Sequence, residues 1–229
     1  MKELIDMYGE MLGKAILTHI LYVVVSVAIG FILGVVLGVL LSRIPKFSNI
    51  IFPILSVFQT IPGLVFIGLL FFMLGMTPLT IIIALSIYAM FPVLKNTYSG
   101  LLDVDKKYID AAKGIGMSNF QSLVKVEIPL AIPSIISGLR MATIYTISWA
   151  VLASMIGLGG LGDFIYQGTS SNNNALILIG AIPAALLAIC FGFLIDLLQK
   201  KLTSKNARKE EEKWLGQWFL SICLLLFHQ

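Results

Sequence analysis

Apolar runs of about 20 residues, separated by short polar stretches, dominate the pattern along this chain. A helical run of that length covers the roughly 30 Å of a bilayer's hydrocarbon, and five are legible. The first covers residues 19–42, "HILYVVVSVAIGFILGVVLGVLLS"; the others cover 52–74, 79–98, 136–158 and 175–199. Two carry internal marks. Gly30, Gly34 and Gly38 recur every four residues in the first run, a row of small residues on one helical face that admits another helix closely. The second run holds "QTIPGL" at 59–64, where proline removes a backbone hydrogen bond and bends the helix. Such a break is tolerated beside a cavity or a neighbouring helix, so it marks either a substrate path or a simple bend.

One polar interruption is long and patterned. "DVDKKYIDAAK" from residue 103 has acids at its start, with Tyr108, Ala111 and Ala112 at i, i+3 and i+4 and then Gly114 and Gly116. This spacing predicts a short helix with a glycine stop. Ser118 followed by Gln121 is a capping-box pair that opens a second short helix, with Phe120, Leu123 and Val124 on one face. Pro129 and Pro133 are expected to turn the chain back toward the membrane. Isolated helices this short are marginal in water, so both need a surface: the protein itself, the lipid interface or a partner's groove.

Composition agrees with the pattern. Of 229 residues, 58% are hydrophobic and 12% charged; globular domains carry about 25% charged residues, so this chain lacks the polar surface of a soluble domain. Its bases cluster in alternate loops. Arg43 and Lys46 follow the first run, Lys95, Lys106, Lys107, Lys113 and Lys125 the third, and Lys200, Lys201, Lys205, Arg208 and Lys209 the fifth, whereas the intervening loops hold none. Lysine and arginine accumulate on the cytoplasmic side. The expected topology therefore has residues 1–18 as an extracytoplasmic segment and the C-terminus inside, and the net charge of +4 reports topology, not nucleic-acid binding. No cleavable signal is read at the start.

The chemistry of an autonomous pump is missing from the pattern. No Asp, Glu, Lys or Arg falls in mid-span; Lys95, Arg140 and Asp196 lie near run ends, and ion-coupled carriers usually need intramembrane ionisable groups. "GEMLGKA" at 9–15 is one residue short of a phosphate-binding loop and has Ala15 where Ser or Thr would hold magnesium. "GLGGLGD" at 157–163 lacks the lysine and reads as a turn. Cys190, Cys223, His19 and His228 show no metal-ligand spacing, so no metal site is expected.

The polar interruption resembles the EAA loop of ABC importer permeases, which runs E-A-A, three residues, G, nine residues, I, one residue, L-P. Here Asp110-Ala111-Ala112, Gly116, Val126 and Ile128-Pro129 stand at that spacing, with Asp for Glu, Val for Ile and Ile for Leu. "QTIPGLVFIGLLF", "MFPVLKNTYSGL", "EIPLAIPSIISGLRMAT" and "IGLGGLGDFIYQG" are similar to permeases of osmoprotectant importers for glycine betaine, carnitine or choline. The resemblance implies an all-α polytopic membrane protein: the five-helix core of the type I ABC importer transmembrane fold over 19–200, with its cytoplasmic coupling loop at 103–133. It implies a second permease subunit, identical or homologous, an ATP-binding subunit that holds ATP and magnesium, an extracellular substrate-binding protein, and no cofactor or catalysis in this chain. Asp110, Ala111 and Ala112 would pack or pair at the ATPase contact, Gly116 would make the turn, and Ser118, Phe120, Gln121, Leu123 and Val124 would form the docking helix ahead of Ile128 and Pro129. The competing reading is a stand-alone channel or secondary carrier, or a permease of the same group for another small solute.

A quaternary ammonium solute is held best by aromatic faces. In such systems the cage belongs to the binding protein, but Phe58, Phe66, Tyr88, Tyr145 and Trp149, with Gln59 and Pro62, could line a weaker path here, or serve only as packing. Beyond residue 200 the charged run "KNARKEEEK" leads into "WLGQWFLSICLLLFHQ", shorter than a span should be and more like an interfacial segment anchored by Trp214 and Trp218; the alternative is a sixth span, which would place the C-terminus outside.

Overall fold

The computed structural model describes residues 2–154, 157 and 159–202, the side chains of 2–7, 45 and 58 excepted. The expected tail, with its anchors Trp214 and Trp218, lies outside the described residues. Among those described, the chain is helical throughout: α1 (Lys2–Arg43), α2 (Pro45–Thr60), α3 (Gly63–Leu74), α4 (Pro78–Leu102), α5 (Lys106–Gly114), α6 (Asn119–Ser122), a π-turn (Leu123–Glu127), α7 (Ile128–Ser154), α8 (Leu161–Ser170) and α9 (Asn174–Leu202). Among the described residues, four runs are long and apolar enough to cross a membrane: α1, α4, α9 and the continuous stretch Asn119–Ser154.

The second expected span is two helices, broken at Ile61 and Pro62. At about 1.5 Å per residue, the 12 residues of α3 reach only about 18 Å, so neither half crosses alone. Two other boundaries move. Residue 19, where the first apolar run begins, lies inside α1, which runs unbroken for 42 residues; Lys14 of "GEMLGKA" lies in it too, paired with Glu10 at 2.7 Å. Nor does Pro129 or Pro133 turn the chain, since both lie within α7; the wider π-turn just before them accommodates the missing donor and the ring. In "GLGGLGD", Gly157, Gly159 and Gly160 do form a positive-φ turn, but Leu161 to Asp163 already belong to α8.

The core lies where α1, α4 and α7 meet. Tyr22, Val23 and Val27 of α1, Ile81, Leu85, Ala89 and Val93 of α4, and Ala142, Ile147 and Ala150 of α7 are buried together there. The glycine row is the seam between α1 and α4: an added Cβ would come within 2.6 Å of the Ala89 Cβ at Gly30, 2.7 Å of the Val93 Cβ at Gly34 and 2.7 Å of the Thr97 Cβ at Gly38. Farther along the chain, Arg140 of α7 pairs with Asp196 of α9 at 2.8 Å. Outward faces stay apolar, as Ile32, Val57, Phe72, Ile189 and Phe193 show at 62–90% exposure; such a surface is stable only in lipid or against a partner helix.

Candidate functional site

Two places carry the residues singled out by sequence. The first is the hairpin joining α4 to α7. Asp105 caps α5, accepting from the Lys107 amide at 2.9 Å and from Lys107 Nζ at 2.7 Å; these bonds to Lys107 hold its carboxyl below the usual range. Helix α5 ends where Gly116 takes φ +83°. There the Met117 amide donates to the Ala112 carbonyl at 3.0 Å and the Gly116 amide to the Lys113 carbonyl at 2.9 Å. That pair of bonds around a left-handed residue is the Schellman stop that glycine favours. Ser118 then opens α6 with both halves of the expected capping box, the Gln121 amide donating to Ser118 Oγ at 3.3 Å and the Ser118 amide to Gln121 Oε1 at 2.9 Å. The hairpin is thus held by local bonds that its own sequence specifies.

Exposure separates the hairpin's residues. Ala112 is buried while Asp110 and Ala111 face outward. Tyr108, Ile115, Phe120 and Val124 are 46%, 75%, 73% and 45% exposed. Leu123 departs from the expected shared face; it packs inward against Leu101, Ala131 and Ile135. Ile128 is half-buried and Pro129 exposed.

The base of the hairpin holds an ion pair that the sequence reading missed. Glu127, in the π-turn, is 4% exposed; it accepts from Ser122 Oγ at 3.3 Å and pairs with Arg43, the last residue of α1, at 2.5 Å. The available signal was a single acid within the apolar stretch "LVKVEIPLAI", which needs a cation if it is buried. The two ends differ in exposure, so their removal is asymmetric. Arg43→Ala leaves a buried, uncompensated carboxylate and is expected to cost about 3 kcal/mol, the lower end for breaking a buried pair. Glu127→Ala frees an arginine that water already reaches and is expected to cost less than half as much. Thermal unfolding of the purified variants checks this, and equal Tm losses would refute the asymmetry.

The second place is beside the helix break. Gln59 at the end of α2, Tyr88 of α4, and Tyr145 and Trp149 of α7 line a cavity of about 270 Å³. The Tyr88 and Trp149 rings stack at 5.1 Å with 20° between planes, and Phe66 of α3 meets Tyr88 edge-on at 5.3 Å. Tyr88 Oη donates to the Ile61 carbonyl at 3.2 Å, satisfying a backbone acceptor that the break exposes. Gly63 is obligatory on the other side of Pro62, since a Cβ there would sit 2.1 Å from the Trp149 ring. Tyr88 lies near the middle of the 25-residue α4. So Gln59, Tyr88, Tyr145 and Trp149 come together with Pro62 at the break beside them, while the Phe58 side chain lies outside the described residues.

Comparison with known proteins bears on the chain as a whole. A family model described as "Binding-protein-dependent transport system inner membrane component" matches residues 26–208. The carnitine transport permease protein OpuCB of Listeria monocytogenes is 45% identical over 172 residues, 75% of this chain and 79% of the relative. The glycine betaine/carnitine/choline transport system permease protein OpuCB of Bacillus subtilis is 38% identical over the same shares. The carnitine transport permease protein OpuCD of Listeria monocytogenes is 35% identical over 91% of this chain and 96% of its own length. Among solved structures, an inward-facing MetNI methionine ABC transporter chain aligns with TM-score 0.76 at 21% identity, covering 85% of this chain and 97% of that one.

Proposed function

The chain belongs to the family of binding-protein-dependent transport system inner membrane components, and we propose that it forms, with a second permease subunit, the membrane path of an ATP-driven importer for a quaternary ammonium osmoprotectant. The solute class follows from the relatives, whose names specify carnitine, glycine betaine and choline. ATP is hydrolysed in a separate subunit, and an extracellular binding protein delivers the solute. Because the bases gather in alternate loops, the hairpin end and the C-terminus are assigned to the cytoplasm.

The observation that carries this reading is the hairpin itself. It projects Ile115 and Phe120, each more than 70% exposed, from a frame fixed by a Schellman stop and a capping box. Apolar side chains held rigidly outside the spans are suited to a partner's cleft, which an amphipathic helix enters by its apolar side. Ala111 and Asp110 border that contact, and the small alanine permits close approach.

The test is purification of the tagged chain from its membrane in mild detergent, with Phe120→Asp alongside. The wild-type chain is expected to bring down an ATP-binding subunit with ATPase activity. The variant, burying a carboxylate in an apolar cleft, is expected to retain about a tenth of it or less. Wild-type chain recovered alone, moving solute in liposomes without ATP, would establish a carrier instead.

A further inference from the structure

The aromatic cavity at the helix break has a chemistry that the proposed function leaves open. Resting on that reading, we propose that Tyr88, Tyr145 and Trp149, with Gln59, form a transit site in the permease for the solute's trimethylammonium head. Three aromatic side chains from two helices share one small cavity, and aromatic faces attract cations electrostatically. Among the described residues that line it there is no Asp, Glu, Lys or Arg. That matters for a zwitterion, because a fixed anion would repel the carboxylate end while gripping the cation. Neutral rings also select among cations: a methylated ammonium has little hydration to lose, whereas sodium or potassium keeps its water and stays out.

Polar groups set the orientation. Gln59, exposed at the rim, offers amide N–H groups to a carboxylate or hydroxyl, while the Tyr88 hydroxyl is committed to the Ile61 carbonyl. The rings therefore hold the head and the amide holds the tail. The volume of about 270 Å³ lies just below the usual range for ligand pockets, which suits a solute of this size. The cavity also opens on a discontinuity in the second membrane segment. A shift at Ile61 and Pro62 would carry Gln59 away from Tyr88, which the core holds in place, and so loosen the site. Weak, partly open binding is what a passage needs, since the solute must leave as readily as it enters.

The experiment is saturation-transfer NMR on the intact transporter complex in lipid nanodiscs without its binding protein, using choline and glycine betaine as probes. Methyl protons of both are expected to receive saturation from the protein. The tert-butyl analogue of choline, with carbon in place of nitrogen, should receive little. Trp149→Leu with Tyr145→Leu should reduce the choline signal about tenfold, and Tyr145→Phe should retain it. Tyr145 is 48% exposed, so Tyr145→Leu alone leaves the core intact and should still show a clear loss. Equal signals from the neutral analogue, or unchanged signals from the leucine variants, would overturn the site. Failure of the permease reading is separate: it would show as a complex with no ATP-binding subunit, whatever the NMR result.

Discussion

Gly34→Leu is expected to leave no folded protein in the membrane, with the monodisperse chromatographic peak of the wild type lost. A side chain there meets the Met90 carbonyl at 2.7 Å and Val93 on two atoms at 2.7 and 2.9 Å, so it strikes backbone that cannot move without parting α1 from α4. Overpacking a core with a few methylenes costs about 1–3 kcal/mol; a leucine against rigid backbone exceeds that, within a total stability of about 5–15 kcal/mol. Burying the leucine gives nothing back, because lipid is as apolar as the interior. Gly9→Leu is the control, in the same helix with no atom near its Cβ position. A wild-type peak from Gly34→Leu would mean that α1 and α4 do not pack as described.

The other large effect is functional. Gly116→Pro is expected to insert and assemble normally yet abolish ATP-driven uptake, by at least about tenfold, while ATP hydrolysis continues. Proline fixes φ near −65°, whereas Gly116 sits at +83°; it also removes the amide that donates to Lys113. Nothing lies near a Cβ at this position, so the effect is one of backbone direction. Gly116→Ala should be milder, costing about 1–2 kcal/mol for a left-handed residue. Uptake and hydrolysis measured together in proteoliposomes decide the matter, and undiminished uptake with proline at 116 would remove the loop from the transport mechanism.

What the sequence disclosed follows from which signals are local. The capping box at Ser118 and Gln121, the stop at Gly116, the break at Pro62 and the glycine seam are each written in a few consecutive or regularly spaced residues, and each stands in the structure. The partnership of Arg43 with Glu127, 84 residues away, has no local signature and needed the fold. Likewise no periodicity says that Gln59, Tyr88, Tyr145 and Trp149 share a cavity; their residue types marked them singly, and the crossing of α4 with α7 brought them together. The misplaced boundaries have one cause. Apolar composition marks where lipid is, not where a helix ends, so α1 and α7 run on past the edges of their apolar stretches.

The π-turn has a mechanical meaning. A helical rod with one turn wider than the rest contains a dislocation, the one-dimensional counterpart of a defect in a crystal row. An α-helix advances about 100° per residue, so moving the surplus residue one place along rotates the residue it passes by that angle while every other turn keeps its bonds. Asn119–Ser154 is one rod with its dislocation at Leu123–Glu127, beside the ionic strut to α1. In such a rod a change of rotational register disturbs bonds at one place only, and here that place is where the loop joins the span.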